Sequence, residues 1–223
     1  MRRWKRAFFA LVVICAPASS ALAQNVDAVE HVLENGMTFL FVKRPGEPNI
    51  SAGWIAKVGS VNERPGITGI AHLFEHMMFK GTRTIGTKDI ARDLEIMAEL
   101  DSVRSELRAL QLDLERRARV GEISDTRDPA FRSKRHQELL DRFSELLEEQ
   151  RAVIVKDEFD RIYSAAGASG MNAGTTYDFT IYFISVPRNK LELWCWMESD
   201  RLLQPVFREF YSERDVVREE RRL

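Results

Sequence analysis

The sequence predicts an α+β fold, in which an antiparallel β-sheet packs with helices and a long antiparallel helical hairpin is inserted. Three observations favour this class. Segments with the composition of strands lie near the N-terminus and again near residue 180. The middle of the chain is densely charged and has helical periodicity, and two more helical patterns follow the last predicted strand.

The predicted strands lie on either side of the charged middle of the chain. The pair Asn35-Gly36 favours a tight turn, so we expect a β-hairpin over residues 30–43. A third strand is expected at 50–58. A fourth is expected at 177–186, because apolar and polar residues alternate there, as they do in a strand with one buried face.

The charged middle of the chain, residues 88 to about 159, is the predicted helical hairpin. A polar break at 121–129 separates two amphipathic helices. The first helix has the apolar heptad seam of a coiled coil, formed by Leu100, Val103, Leu107, Leu110 and Leu114. The hairpin is either a spacer with a solvated charged face or an arm that docks a partner or gates a substrate.

The first 23 residues are predicted to be a secretory signal peptide. A basic start precedes an apolar run that is too short for a permanent membrane anchor, and Ala21-Leu22-Ala23 fits a small-residue cleavage site. An uncleaved anchor is the alternative. Because Cys195 is the only cysteine after the cleavage site, no internal disulfide is expected, which favours the periplasm, with secretion as the alternative.

The pattern H-x-x-E-H at residues 72–76 is the strongest functional signal. On a predicted helix at 68–79, His72 and His76 lie one turn apart on one face and could bind one divalent metal. Glu75 is close enough to take a proton from a water held by that metal. The alternative is a hydrogen-bonded pair of core histidines. A catalytic zinc needs a third protein ligand, which this motif lacks.

Candidates for the third ligand lie on the last predicted helix, residues 207–222, which follows another predicted helix at 189–203. Glu213, Glu219 and Glu220 are all present there, and spacing alone does not choose among them. The alternative is an exposed helix in which these acids pair with neighbouring arginines. The net charge of −1 gives no reason to expect a nucleic-acid partner.

Three separated blocks of sequence resemble the pitrilysin/insulysin family of inverted-zincin metallopeptidases, which includes mitochondrial processing peptidase. The blocks run from Gly69 to Thr82, from Asn172 to Tyr182 and from Glu213 to Arg222. They occur in the family's order, and the resemblance is to its bacterial exported members. It implies a half-clamshell metallopeptidase domain over residues 24–223 that is C-terminally incomplete.

The resemblance also implies roles for individual residues. His72, His76 and Glu220 would bind one Zn²⁺, and Glu75 would be the general base. Glu213 would support catalysis by orienting a histidine.

The resemblance further implies a substrate and a partner. Asn172 and Ala173 would lie at the strand edge where a peptide substrate adds as an extra strand. The family's active unit also implies a homologous second half or partner subunit. The expected function is zinc-dependent endopeptidase activity on extended peptides. The signal peptide at 1–23 predicts that the protein has no stable membrane anchor. The alternatives are a non-catalytic fragment or subunit that needs a homologous second half, and a helical interaction module built on the hairpin.

Overall fold

The computed structural model describes residues 26–222. The predicted signal peptide, residues 1–23, lies outside them. The strands are β1 (Ala28–Val32), β2 (Thr38–Val42), β3 (Asn49–Ala56), β4 (Ser169–Thr175) and β5 (Thr180–Pro187). The helices are α1 (Ile70–Met77), α2 (Ile90–Arg119), α3 (Lys134–Val153), α4 (Glu158–Ala165), α5 (Leu191–Leu203) and α6 (Phe210–Glu220). The predicted α+β class, with antiparallel sheets and an inserted helical hairpin, is confirmed.

The chain divides into two compact units between Gly46 and Glu47. In the part of the first unit that the structure describes, β1 and β2 pair antiparallel in a regular register. Gly36 lies in their turn with a φ of 84°, a backbone conformation that glycine adopts without the steric penalty of a side chain. The predicted hairpin around this residue is confirmed.

The second unit contains a three-stranded antiparallel sheet in the order β3-β5-β4. Alternate residues of β5 are buried, as the sequence pattern predicts, but the strand begins at Thr180 because Thr176 to Phe179 form the turn. Strand β4 has no clear sequence signal, since its small residues and two glycines have low strand propensity. Its place at the edge of the sheet comes from pairing with β5.

One face of this sheet packs against α4 and α5. The buried side chains there form a continuous apolar cluster of Ile85, Phe159, Tyr163, Ile184, Val186 and Met197. A buried ion pair between Arg201 and Glu198 lies beside it. Glu198 also accepts hydrogen bonds from Trp54 Nε1 and the Tyr163 hydroxyl, each at 2.6 Å. Paired and hydrogen-bonded in this way, the two charges are accommodated in an apolar core.

Helices α2 and α3 form the predicted antiparallel hairpin. Both helices begin with a side-chain cap, in which Asp89 accepts from the Arg92 N–H and Ser133 accepts from the His136 N–H. The apolar seam packs the two helices together, with Leu110 partly buried and the other four predicted residues buried. The charged residues of the hairpin form cross-helix pairs on its surface, at Arg92–Glu149, Glu99–Arg142 and Glu106–Arg135.

The two ends of the hairpin lie side by side. The Lys88 N–H donates to the Val153 carbonyl at 2.9 Å, and the Val155 N–H donates to the Gly86 carbonyl at 3.0 Å. A long insert whose ends meet in this way adds sequence between α1 and α6 without separating them in space. Among residues 26–222, none of the helices combines the length and apolar character needed to cross a membrane.

Candidate metal centre

Helix α1 carries the histidine motif, and its start is fixed by a carboxylate. Glu63 accepts hydrogen bonds from the Gly69 N–H at 2.7 Å and the Ala71 N–H at 2.9 Å. These donors lack partners within the helix, so the carboxylate satisfies them. Its negative charge also interacts favourably with the positive end of the helix dipole. His72 and His76 then lie on one face, as predicted from their spacing, while Glu75 is buried.

Helix α6 brings Glu220 to these histidines, so three ligand atoms meet. The two histidine Nε2 atoms are 3.2 Å apart, and each is 3.5 Å from Glu220 Oε2. Tetrahedral zinc with bonds of about 2.0–2.2 Å requires about 3.3–3.5 Å between its ligand atoms. The residues therefore fit a zinc ion, and one position remains for a water. The structure brings together the predicted ligands; Glu219 instead pairs with Arg222 at the surface.

The ring of His76 is oriented by Glu213, which also lies on α6. Glu213 Oε2 is 3.2 Å from His76 Nδ1, and its other oxygen accepts from Lys80 Nζ at 2.6 Å. With the proton on Nδ1, the lone pair of His76 Nε2 faces the metal position. Burial raises the pKa of Glu213, but the hydrogen bonds and charges of Lys80 and His76 outweigh it and hold the pKa below its ordinary value.

Lys80 is a site residue that sequence reasoning missed. Its ammonium lies between Glu213 and Glu209, at 2.6 and 3.2 Å. Burial lowers the pKa of Lys80, and the two carboxylates more than compensate, so the net pKa is raised and the side chain stays charged. A lysine four residues after His76 gives no distinctive sequence signal, because the acids that it contacts lie more than 120 residues away.

The carboxylate of Glu75 is held by Thr175, the last residue of β4. The Thr175 hydroxyl donates to Glu75 Oε2 at 2.5 Å. The neighbouring Thr180 hydroxyl donates to the Val58 carbonyl at 2.9 Å, so its single proton is already in use. Thr175 is therefore the hydroxyl that orients the predicted base. No local sequence pattern indicates this contact, because its partners are 100 residues apart.

Strand β4 is an edge strand of the sheet formed by β3, β5 and β4, and it lies beside Glu75. The Thr176 N–H donates to the Phe179 carbonyl at 2.8 Å, and antiparallel pairing then alternates back along β4. This alternation directs the N–H and C=O groups of Ala173 and Thr175 away from β5. Asn172 pairs with β5, and its Oδ1 accepts from the Ala173 N–H at 2.9 Å. Both predicted substrate residues thus lie on the edge strand.

Part of the chain matches a known protein family. Residues 38–109, which include α1 and its histidine motif, match the model of the insulinase family, peptidase family M16. The match covers about a third of the chain. The resemblance proposed from the three sequence blocks is thereby confirmed.

The chain is similar to curated proteins that are named zinc proteases. It is 48% identical over 63 residues to an "Uncharacterized zinc protease" of Rickettsia bellii (strain RML369-C), a match covering 28% of this chain and 15% of that protein. It is 36% identical over 66 residues to the "Uncharacterized zinc protease YmxG" of Bacillus subtilis (strain 168), covering 29% and 16%. The matches span about one sixth of the relatives' length.

A solved structure shows the same fold. "The crystal structure of a protease from Helicobacter pylori" aligns with a TM-score of 0.52 at 23% identity, covering 88% of this chain and 31% of that one. The alignment extends well beyond residues 38–109, so the likeness in fold is not confined to the region of strong sequence similarity.

Proposed function

We propose that the chain is the zinc-binding part of an exported metalloendopeptidase that hydrolyses peptides bound in extended form. The observation that carries this proposal is the triangle formed by the ligand atoms of His72, His76 and Glu220. The buried Glu75 lies on α1 together with the two histidines. Export to the periplasm rests on the predicted signal peptide at 1–23.

A zinc ion in this triangle would polarise a substrate carbonyl and lower the pKa of a water. The chain's own residues supply the rest of the chemistry. Glu75 accepts the proton of the attacking water and later delivers it to the leaving amine. Thr175 keeps the carboxylate in one orientation, and Glu213 keeps His76 in the tautomer that leaves Nε2 free.

The edge of β4 supports an extended peptide as the substrate. The outward N–H and C=O groups of Ala173 and Thr175 have the spacing of a strand that accepts another strand. A peptide would displace the Asn172 side chain, whose Oδ1 accepts from the Ala173 N–H. Main-chain hydrogen bonds of this kind do not depend on the side chains of the peptide. The Thr175 side chain contacts Glu75, so a peptide paired with its backbone would lie beside the base.

The experiment replaces the base and keeps the ligands. Glu75→Gln in the zinc-loaded full-length protein is expected to abolish cleavage of a quenched fluorescent peptide while one zinc per chain remains bound. Glu219→Gln is the matched control, because Glu219 is exposed on α6 and its carboxylate pairs with Arg222 at the surface. Peptide cleavage that persists in Glu75→Gln contradicts the role of Glu75.

A second candidate is a non-catalytic chain that needs a second half. It is favoured by the short span, about one sixth of the curated relatives and 31% of the Helicobacter pylori protease. Zinc binding without cleavage, followed by cleavage when a homologous half is added, would support this candidate. Cleavage by the 223-residue chain alone would exclude it.

A further inference from the structure

The start of α6 is attached to the base of the helical hairpin through a buried arginine. Arg208, two residues before α6, forms an ion pair with Asp93 in the first turn of α2, and both side chains are buried. Its remaining N–H groups donate to the carbonyls of Lys80, Thr82 and Ile85, at 3.2, 2.7 and 3.1 Å. The loop after α1, the first turn of α2 and the residues entering α6 thus share one hydrogen-bonded cluster.

The first turn of α6 contacts the hairpin again, farther from its base. The Tyr211 hydroxyl donates to Asp101 Oδ1 on α2 at 2.7 Å. Its ring meets the edge of the Phe143 ring on α3, with centroids 5.3 Å apart. The Arg104 guanidinium lies over both rings, at 5.8 and 5.9 Å. Burial and the bond to Asp101 raise the pKa of Tyr211 to about 12, so the hydroxyl stays protonated at neutral pH.

These contacts distinguish the hairpin from a simple spacer. A spacer need only join the core at its two ends, where residues 86–88 meet 153–155. Asp101, however, lies 11 residues into α2, which is about 16 Å along the helix axis. Phe143 lies a similar distance from the end of α3. Both helices therefore contact α6 through Tyr211, well away from the base of the hairpin.

The other end of α6 is fixed to the helix that carries the histidines. Val217 is buried, and Arg221 donates to the carbonyl and hydroxyl of Thr68 at 3.1 and 3.0 Å. The side chain of Glu220 itself is 45% exposed, so packing around it does little to hold it. Its position beside the histidines depends on how the whole of α6 is placed.

We propose that the hairpin is a positioning element for the metal centre. Through Tyr211 and the Arg208–Asp93 pair it sets α6 at the angle that brings Glu220 to His72 and His76. This inference rests on the proposed zinc site and assigns the hairpin a task within the chain. Tyr211 is a positioning residue, because it acts on the metal only through the helix that it shares with Glu220.

The test measures zinc affinity, by competition with a fluorescent zinc chelator, in the full-length protein. Tyr211→Ala removes the ring and the hydroxyl and is expected to weaken zinc binding about tenfold, as changes behind metal ligands commonly do. Tyr211→Phe keeps the ring between Phe143 and Arg104, and is expected to recover most of the affinity.

The matched control is Leu114→Ala. Leu114 is a buried residue of the heptad seam on α2. It lies 10 residues beyond Arg104, which is about 15 Å farther along the helix axis than the contacts of Tyr211. This variant is expected to lower the Tm while leaving zinc affinity unchanged. If Tyr211 only stabilised the fold, zinc affinity would fall in proportion to Tm in Tyr211→Ala and in Leu114→Ala alike.

The outcomes separate this inference from the proposed function. If Glu220→Gln leaves zinc affinity unchanged, the zinc site itself is wrong. If Glu220→Gln lowers the affinity but Tyr211→Ala does not, the site stands and the positioning role of the hairpin is overturned. A loss of affinity in Tyr211→Ala, recovery in Tyr211→Phe and no loss in Leu114→Ala together support the role.

Discussion

The metal centre and the helical hairpin are stabilised by different kinds of contact. At the centre, Glu75 contacts Thr175 across 100 residues, and His76 contacts Glu213 across 137. Along the hairpin, one apolar seam and a row of charged pairs repeat between two neighbouring helices. Each contact at the centre is made once and has no substitute. Each contact of the hairpin is one of several similar ones.

This difference predicts where substitutions matter. In the hairpin, neighbouring pairs and seam residues compensate for a lost surface contact, so stability changes little. At the centre, a lost contact leaves a polar group without a partner. We expect such a loss to lower catalytic activity more than it lowers the stability of the fold. The joint between the two regions, at Arg208 and Asp93, combines burial with a single charge pair and is expected to be the most sensitive position.

The largest effect is expected at that joint. Arg208→Met would leave the carboxylate of Asp93 buried without its charge partner, which costs about 3–5 kcal/mol of stability when one member of a buried pair is removed. Denaturant unfolding followed by circular dichroism measures this loss. The double variant Asp93→Leu with Arg208→Met should recover part of it, because no charge then remains buried. A single variant as stable as wild type would show that the pair does not join the regions.

An intermediate effect is expected at Thr175, where a substitution can remove the hydroxyl without changing the shape of the side chain. Thr175→Val keeps the shape of the side chain but removes the hydroxyl, and a hydrogen bond to a carboxylate contributes about 1.5–3 kcal/mol. We expect kcat for peptide cleavage to fall at least about tenfold, with KM and zinc content unchanged. Thr175→Ser, which retains the hydroxyl, is the control and should restore kcat. An equal loss in both variants would point to packing instead of the hydroxyl.

The smallest effect is expected on the hairpin surface. Arg142 pairs with Glu99, Glu145 and Glu149, and these hydrogen bonds raise the pKa of its guanidinium. Exposed pairs of this kind add little to stability, so Arg142→Met should lower the Tm by no more than about 2 °C. The difference should shrink in high salt, which screens the wild-type pairs. A large, salt-independent loss would mean that the surface row is as irreplaceable as the centre.

Local patterns made the hairpin and the histidine helix predictable. The heptad seam from Leu100 to Leu114 identifies α2 because buried positions recur at the helical period. His72 and His76 share a face for the same reason. The turn at Gly36 follows from a residue pair that favours one backbone conformation. Each of these features depends on residues close together in sequence.

The contacts that complete the site were not predictable in this way. Strand β4 lacks strand-forming residues and depends on β5 for its conformation. Lys80, Thr175 and Arg208 belong to residue types that are common on surfaces, and nothing in their immediate sequence marks them. Their roles come from partners 100 or more residues away, whose positions only folding defines.

The sequence by itself determined the chemistry of the histidine pair and its neighbouring carboxylate, because a helix repeats every 3.6 residues and places His72 and His76 on one face. From spacing alone, three glutamates on the last helix remained candidates for the third ligand. Only the tertiary structure decided that Glu220 meets the histidines, that Glu213 orients His76, and that Thr175 holds Glu75. The physical reason is that these distances depend on how α6 and β4 pack beside α1, with the hairpin contacting α6 at Tyr211.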